Sequence, residues 1–127
     1  MLFRSPEELF HLLAHDNDAF ARWDAGQQLW QHLLLARAAG APETALEQQM
    51  QEALAVLLAD DGEQDPAVLA TLLSFPGAAE LEALQAEADP LALYLAGHAL
   101  REQFGVRLAQ PLQHRLQQLQ QIGRAHV

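Results

Sequence analysis

The chain has no cysteine and no lysine, and it is short of glycine, proline and aromatic residues. Each shortage excludes something. Without Cys there is no disulfide, no thiolate metal site and no thiol nucleophile, and the redox compartment leaves no mark. Without Lys, all seven basic residues are Arg, set against 17 Asp and Glu, for a net charge of −10. Such a surface repels phosphate backbones and anionic headgroups, so neither nucleic acid nor membrane is an expected partner. No apolar run approaches the roughly 18 residues of a membrane span. The first five residues do not lead into the apolar core of a signal peptide. A cytoplasmic location is the expectation. No G-x-S-x-G elbow and no phosphate-binding loop occurs anywhere.

What is present is Ala, Leu, Gln and Glu in abundance, all good helix formers. The 127 residues suffice for one domain with a modest core. No stretch alternates with the period of a strand. The expected class is all-α, built as stacked antiparallel helix pairs: an incomplete, α-solenoid-like helical domain without a clear internal sequence period.

The helices can be placed from their caps and periods. Pro6 to His15 reads as a first helix with Leu9, Phe10, Leu12 and Leu13 on its apolar side. Ser5 is positioned to cap it, Pro6 suits its first turn, and Glu8 completes a capping-box pattern. Asp18 is a good N-cap for a second helix over about 19–39. There Phe20, Trp23, Gln27, Trp30 and Leu34 recur at spacings of 3, 4, 3 and 4, which predicts one buried face. Gly40 is the expected C′ residue. Pro42 is expected to open a third helix reaching about Asp60, with Leu46, Met50, Leu54, Leu57 and Leu58 inward.

Asp65-Pro66 is a cap followed by a first-turn proline, opening a fourth helix with Leu69, Leu72 and Leu73, which Phe75-Pro76-Gly77 ends. A short fifth helix carries Leu81 and Leu84. Asp89-Pro90 repeats the cap-plus-proline device and starts a long sixth helix. Pro111 is expected to kink or break it, because proline lacks the N–H and clashes one turn back. This last helix is apolar over a wide arc, with Leu91 and Leu95 on one side and Leu93, Leu100 and Phe104 toward another. Such a helix is normally buried between layers.

Candidate chemistry is sparse. His11 and His15 have the i, i+4 spacing of two zinc ligands, but the string His-Leu-Leu-Ala-His lacks the Glu of H-E-x-x-H, so two surface or boundary histidines are expected and no metal site. His32, His98 and His114 have no partner pattern. Asp60, Asp61, Glu63 and Asp65 form an acidic loop without the alternating ligands and closing Glu of an EF-hand, so a solvated loop is expected. Residues 117–121 read as a polar helix face. Trp23 and Trp30 read as core, and Arg22 and Asp24 as pairing with neighbouring segments. No catalytic and no cofactor-binding residue is expected in this chain.

One stretch, HDNDAFARWDAGQQL, carries a resemblance. With Asp16, Asp18, Phe20, Arg22, Trp23, Asp24, Ala25 and Gln27 it matches a string D-x-D-x-F-x-R-W-[DE]-A-x-Q. A second stretch follows in order: Asp65, Pro66, Ala67, Leu69, Ala70, Leu73, Pro76, Leu81, Asp89, Pro90, Ala92 and Arg101. Over about residues 9–110 the chain resembles the start of the C-terminal helical domain of bacterial aminopeptidase N, the alanyl aminopeptidase family of zinc metallopeptidases. Pro111 and the Gln-rich end depart from that pattern.

The resemblance implies a parent hydrolase active in proteolysis. It would release N-terminal amino acids from peptides using zinc held by an upstream H-E-x-x-H. This chain has neither that motif nor the family's Gly-Ala-Met-Glu-Asn. It would then be an inactive, non-catalytic piece of the domain that encloses the active-site cavity. Its partners would be the parent's remaining domains, with peptides as the parent's substrates. Within it Asp18 would cap, Phe20 and Trp23 would pack, and Arg22 with Asp24 would position the domain. The alternative is a free-standing helical interaction module without enzymatic activity.

The two ends raise a separate expectation. Met1–Ser5 back-translates to GTG-CTC-TTC-CGA-TCT if GTG is the start codon. Its reverse complement, read as AG-ATC-GGA-AGA-GCA-C, encodes Ile-Gly-Arg-Ala and the first base of the His126 codon, with AG completing the codon of Gln121. The string resembles an adapter ligated to DNA for sequencing. Met1–Ser5 and Ile122–Val127 are therefore expected to be translated adapter, and residues 6–121 the aminopeptidase-like piece. Discounting Arg4 and Arg124 leaves five Arg against 17 acids, a net charge of −12.

Overall fold

The computed structural model describes residues 4–59, 65–87 and 89–125, with 122–125 as helical backbone. Among these, every regular element is an α-helix: α1 Pro6–His15, α2 Ala19–Ala38, α3 Thr44–Ala59, α4 Pro66–Leu72, α5 Ala78–Ala83 and α6 Pro90–Ala125. The fold is all-α and stacked, as the helix-forming composition and the apolar periods require.

Capping chemistry sets the boundaries. Ser5 Oγ accepts from Glu8 N at 3.3 Å, Asp18 Oδ1 from Phe20 N at 3.0 Å and Asp65 Oδ1 from Ala67 N at 2.9 Å. Asp89 Oδ1 accepts from Ala92 N at 3.1 Å. Each carboxylate or hydroxyl satisfies a first-turn N–H that has no intrahelical partner. The end of α2 is a full Schellman motif: Gly40 N donates to Arg37 O and Ala41 N to Ala36 O. The turn requires Gly40 at φ 79°, in the left-handed region.

Two boundaries differ from the sequence reading. The third helix opens at Thr44, not at Pro42, because the left-handed Gly40 leaves residues 41–43 to turn the chain first. The sixth helix neither breaks nor ends at Pro111 but runs through it. Pro111 removes one backbone donor, yet the acceptor one turn back belongs to exposed Arg107, where water can take the carbonyl. The acidic loop 60–64 lies outside the described residues.

α2 is the hub. It packs against α1, α4, α6 and α3, while α3 also meets α6 and α1. The core runs from Leu9 and Leu13 through Leu29, Trp30, Leu33 and Leu34 to Met50, Leu54, Leu72, Leu100 and Phe104. All five inward residues expected on α3 are buried. On α5, Leu81 is buried but Leu84 is half-exposed, because α5 ends at Ala83 and Leu84 falls on its cap. α6 buries Leu93, Leu100 and Phe104 and leaves Leu91 and Leu95 in solvent, the two sides expected of it. No described helix is long and apolar enough to cross a membrane.

Candidate functional site

The motif stretch 16–27 forms the joint between α1, α2 and the segment after α4. Asp16 is the C-cap of α1, and its Oδ1 accepts from Asp18 N at 2.7 Å. Asp18 then caps α2. The two acids thus turn the chain between antiparallel helices in three residues. Arg22 is buried, and its Nε donates to Leu13 O at 2.9 Å, reaching back across the α1–α2 pair. Gln27, also buried, donates from Nε2 to Ser74 O at 2.8 Å. One turn on, Trp30 Nε1 donates to Leu72 O at 3.0 Å. Arg22 and Gln27 of the motif therefore satisfy main-chain carbonyls where three segments meet, while Asp16 and Asp18 satisfy main-chain N–H groups.

Three expectations for this stretch need correction. Phe20 and Trp23 do not pack into the core: they are 68% and 38% exposed. They lean on each other, with ring centroids 5.7 Å apart. The reason is reach along the axis rather than direction. Trp23 lies seven residues before Trp30, nearly two turns, and so points to nearly the same side. The rings that cover that side, Phe75 at 4.6 Å and Phe104 at 4.9 Å, stand at the level of Trp30. Asp24 does not reach a neighbouring segment either. It accepts from Gln28 of its own helix at 2.8 Å.

A second polar cluster was not expected from the sequence. Glu47 on α3 is 1% exposed and takes a bidentate pair from Arg37 on α2: Nε to Oε2 at 2.9 Å and Nη2 to Oε1 at 2.8 Å. Gln103 on α6 closes the triangle, accepting from Arg37 at 3.0 Å and donating to Glu47 Oε1 at 3.2 Å. The hydrogen bonds from Arg37 to Glu47 hold the guanidinium above its ordinary pKa; burial opposes this and the carboxylate's charge adds to it. The fork of Arg suits a planar carboxylate, so one acid ties three helices together. The signal that could have revealed it is a charge on the inward stripe of α3, three residues before Met50.

Beside this triangle lies a cleft of about 360 Å³ lined by Thr44, Glu47, Gln48, Gln51, Gln103 and Arg107. An apolar cleft of about 330 Å³ opens between α5 and α6, lined by Phe75, Pro76, Leu81, Leu93 and Tyr94 among others. At its edge Arg101 stacks 4.8 Å over the Phe75 ring.

The remaining histidines are peripheral. His11 and His15 are exposed neighbours with ring centroids 5.0 Å apart. His32 meets Glu43 at 2.8 Å and His98 meets Glu102 at 3.3 Å, all on the surface. Among the described residues no three of His, Cys, Asp and Glu converge to hold a metal ion. The described residues are not arranged to fit zinc. The polar groups that the fold does gather are ligands of one another or of main-chain carbonyls, which is the chemistry of a joint.

Comparison with known proteins agrees with that reading. Residues 6–127 match a family described as a domain of unknown function, DUF3458_C, with ARM repeats. The chain is 41% identical over 103 residues to a protein of Caulobacter vibrioides named aminopeptidase N, covering 81% of this chain and 12% of the relative. It is 31% identical over 111 residues to the aminopeptidase N of Escherichia coli strain K12, covering 85% of this chain and 13% of the relative. The chain thus spans about an eighth of the length of these curated relatives.

Proposed function

The chain belongs to the DUF3458_C family of ARM-repeat domains, and on that premise we propose that it is the non-catalytic helical part of a zinc-dependent aminopeptidase that releases N-terminal amino acids from peptides. The observation that carries the proposal is the pair of relatives named aminopeptidase N, which align over most of this chain and a small share of themselves. The motif geometry supports it. Asp16, Asp18, Arg22 and Gln27 are engaged in main-chain hydrogen bonds that lock helices together. Zinc and the general base that acts on metal-activated water would sit elsewhere in the parent, and the cavity would be enclosed in part by this domain. Its partners would then be intramolecular.

One experiment tests this reading: sequencing the gene around the coding segment. An in-frame H-E-x-x-H upstream of Pro6 is the expected result. A promoter and start codon close to Pro6 would favour the free-standing interaction module and overturn the proposal. The same sequence decides the ends. We propose that Met1–Ser5 and Ile122–Val127 are translated adapter, although the family match runs from Pro6 through Val127. Genomic codons for those residues, with a stop after Val127, would refute it.

A further inference from the structure

Charge is divided unevenly along the chain. All 17 acids stand at or before Glu102, while residues 103–121 hold Arg107 and Arg115 and no acid. Arg107 is therefore a cation without a local counter-ion. Three and four residues either side of it on α6 are Gln103, Phe104, Gln110 and Pro111, so no carboxylate stands one turn away. It is exposed and forms no ion pair among the described residues. In a chain of net charge −10, with acids in excess, a guanidinium left this way is open to a carboxylate from outside.

Arg107 lines the cleft of about 360 Å³ between α6 and α3. On the α3 wall Thr44, Gln48 and Gln51 follow at spacings of four and three, which places them on one side of that helix. Gln48 is turned toward Glu52 at 3.4 Å. Gln51 is 7% exposed, yet its amide makes no hydrogen bond among the described residues. A buried amide normally has a partner, so a free one on the wall of a polar cleft marks a place where a ligand is read. Glu47 also lines the cleft, but its carboxylate is already held by Arg37 and Gln103. With Arg37 matching Glu47, the cleft offers one unmatched charge, that of Arg107.

From this arrangement we propose that the α3–α6 cleft binds a carboxylate that neighbours a peptide amide, with the Arg107 guanidinium on the carboxylate and the Gln51 amide on the peptide group. The planar fork of one Arg fits a carboxylate monoanion. A phosphate dianion would bring a second charge that the cleft does not match, close to Glu47. The volume suits a chain end or one side chain with its backbone rather than a large ligand. Two sources supply this chemistry: the C-terminus of a peptide, and an Asp or Glu side chain on an extended segment. The site rests on residues of α3 and α6 and not on the aminopeptidase reading, so either can fail without the other.

The test is a titration of the isotope-labelled full chain followed by two-dimensional NMR, with the Gln51 side-chain amide and Arg107 Nε signals as reporters. N-acetylglycylglycine supplies a chain-end carboxylate and N-acetylglutamic acid α-amide a side-chain carboxylate. At least one should bind saturably, with a Kd of about 1–10 mM for so small a probe. The tighter of the two identifies the source. N-acetylglycylglycine amide, which lacks the charge, and inorganic phosphate should each bind about fivefold more weakly or less. Arg107→Gln should weaken the better probe by about fivefold to tenfold, and Gln51→Leu by about threefold, with helicity kept because neither side chain holds the fold by a hydrogen bond. Arg101→Gln removes the same charge from elsewhere on α6 and should leave binding unchanged. No saturation by either carboxylate, equal binding of the uncharged amide, tighter binding of phosphate, or an equal loss in Arg101→Gln and Arg107→Gln would each overturn the proposal.

Discussion

Trp23 and Trp30 stand two turns apart on one helix and point nearly the same way, yet one is 38% exposed and the other 1%. Around Trp30 the α2 surface meets Phe75, Phe104 and the Leu72 carbonyl. Around Trp23 the ring contact is with Phe20, itself largely in water. The difference separates two things that a hydrophobic period mixes together. Period fixes the direction a side chain takes from the axis. It does not fix how far along the axis the covering elements extend. The closed end of α2 is where α3 and α6 converge through the Arg37–Glu47–Gln103 triangle.

Substitutions can break or sharpen this contrast. The largest loss is expected from Trp30→Ala. Truncating a buried aromatic costs roughly 3–5 kcal/mol, and the Leu72 carbonyl loses its donor at a further cost of about 1–3 kcal/mol. A domain of this size holds only about 5–15 kcal/mol in total, so the variant should be largely unfolded by circular dichroism at room temperature. Arg37→Ala should come next, at about 3–5 kcal/mol in urea titration, because it strands the Glu47 carboxylate in the interior. If Arg37→Ala costs no more than an exposed substitution, the triangle does not hold the three helices.

Pro111→Ala should act in the opposite direction. It restores the N–H that α6 lacks and removes the steric clash, so thermal melting should shift upward, by an amount corresponding to at most about 3 kcal/mol. A fall in melting temperature would mean that the structure needs the proline. Trp23→Ala should be the mildest, about 1 kcal/mol, since a fully buried large apolar side chain is worth only about 1.5–3 kcal/mol. A loss equal to that of Trp30→Ala would erase the distinction between the two ends.

Much of the fold was legible in the sequence for local reasons. Ser5, Asp18, Asp65 and Asp89 cap where their side-chain chemistry requires, and Gly40 turns where only glycine is comfortable. The inward stripe of α3 followed from its period alone. What was not legible depends on tertiary placement. Phe20 and Trp23 fail for want of a covering element. Pro111 is tolerated because the carbonyl it orphans lies on the solvent side. The Arg37–Glu47 pair joins residues ten apart across a turn, and Gln103 comes from 56 residues beyond Glu47. No local pattern announces such a meeting. The family string was visible, but the geometry rather than the string shows that its Arg22 and Gln27 bind carbonyls and its aromatic pair stays outside.

The contrast between the two ends of α2 can be measured in one experiment, because the chain has only two tryptophans. Trp23→Phe leaves Trp30 as the sole reporter, and Trp30→Phe leaves Trp23. Acrylamide quenching of each should give a blue-shifted, poorly quenched emission from Trp30 and a redder, readily quenched emission from Trp23. Equal quenching of the two, or a Trp30 more accessible than Trp23, would contradict the account.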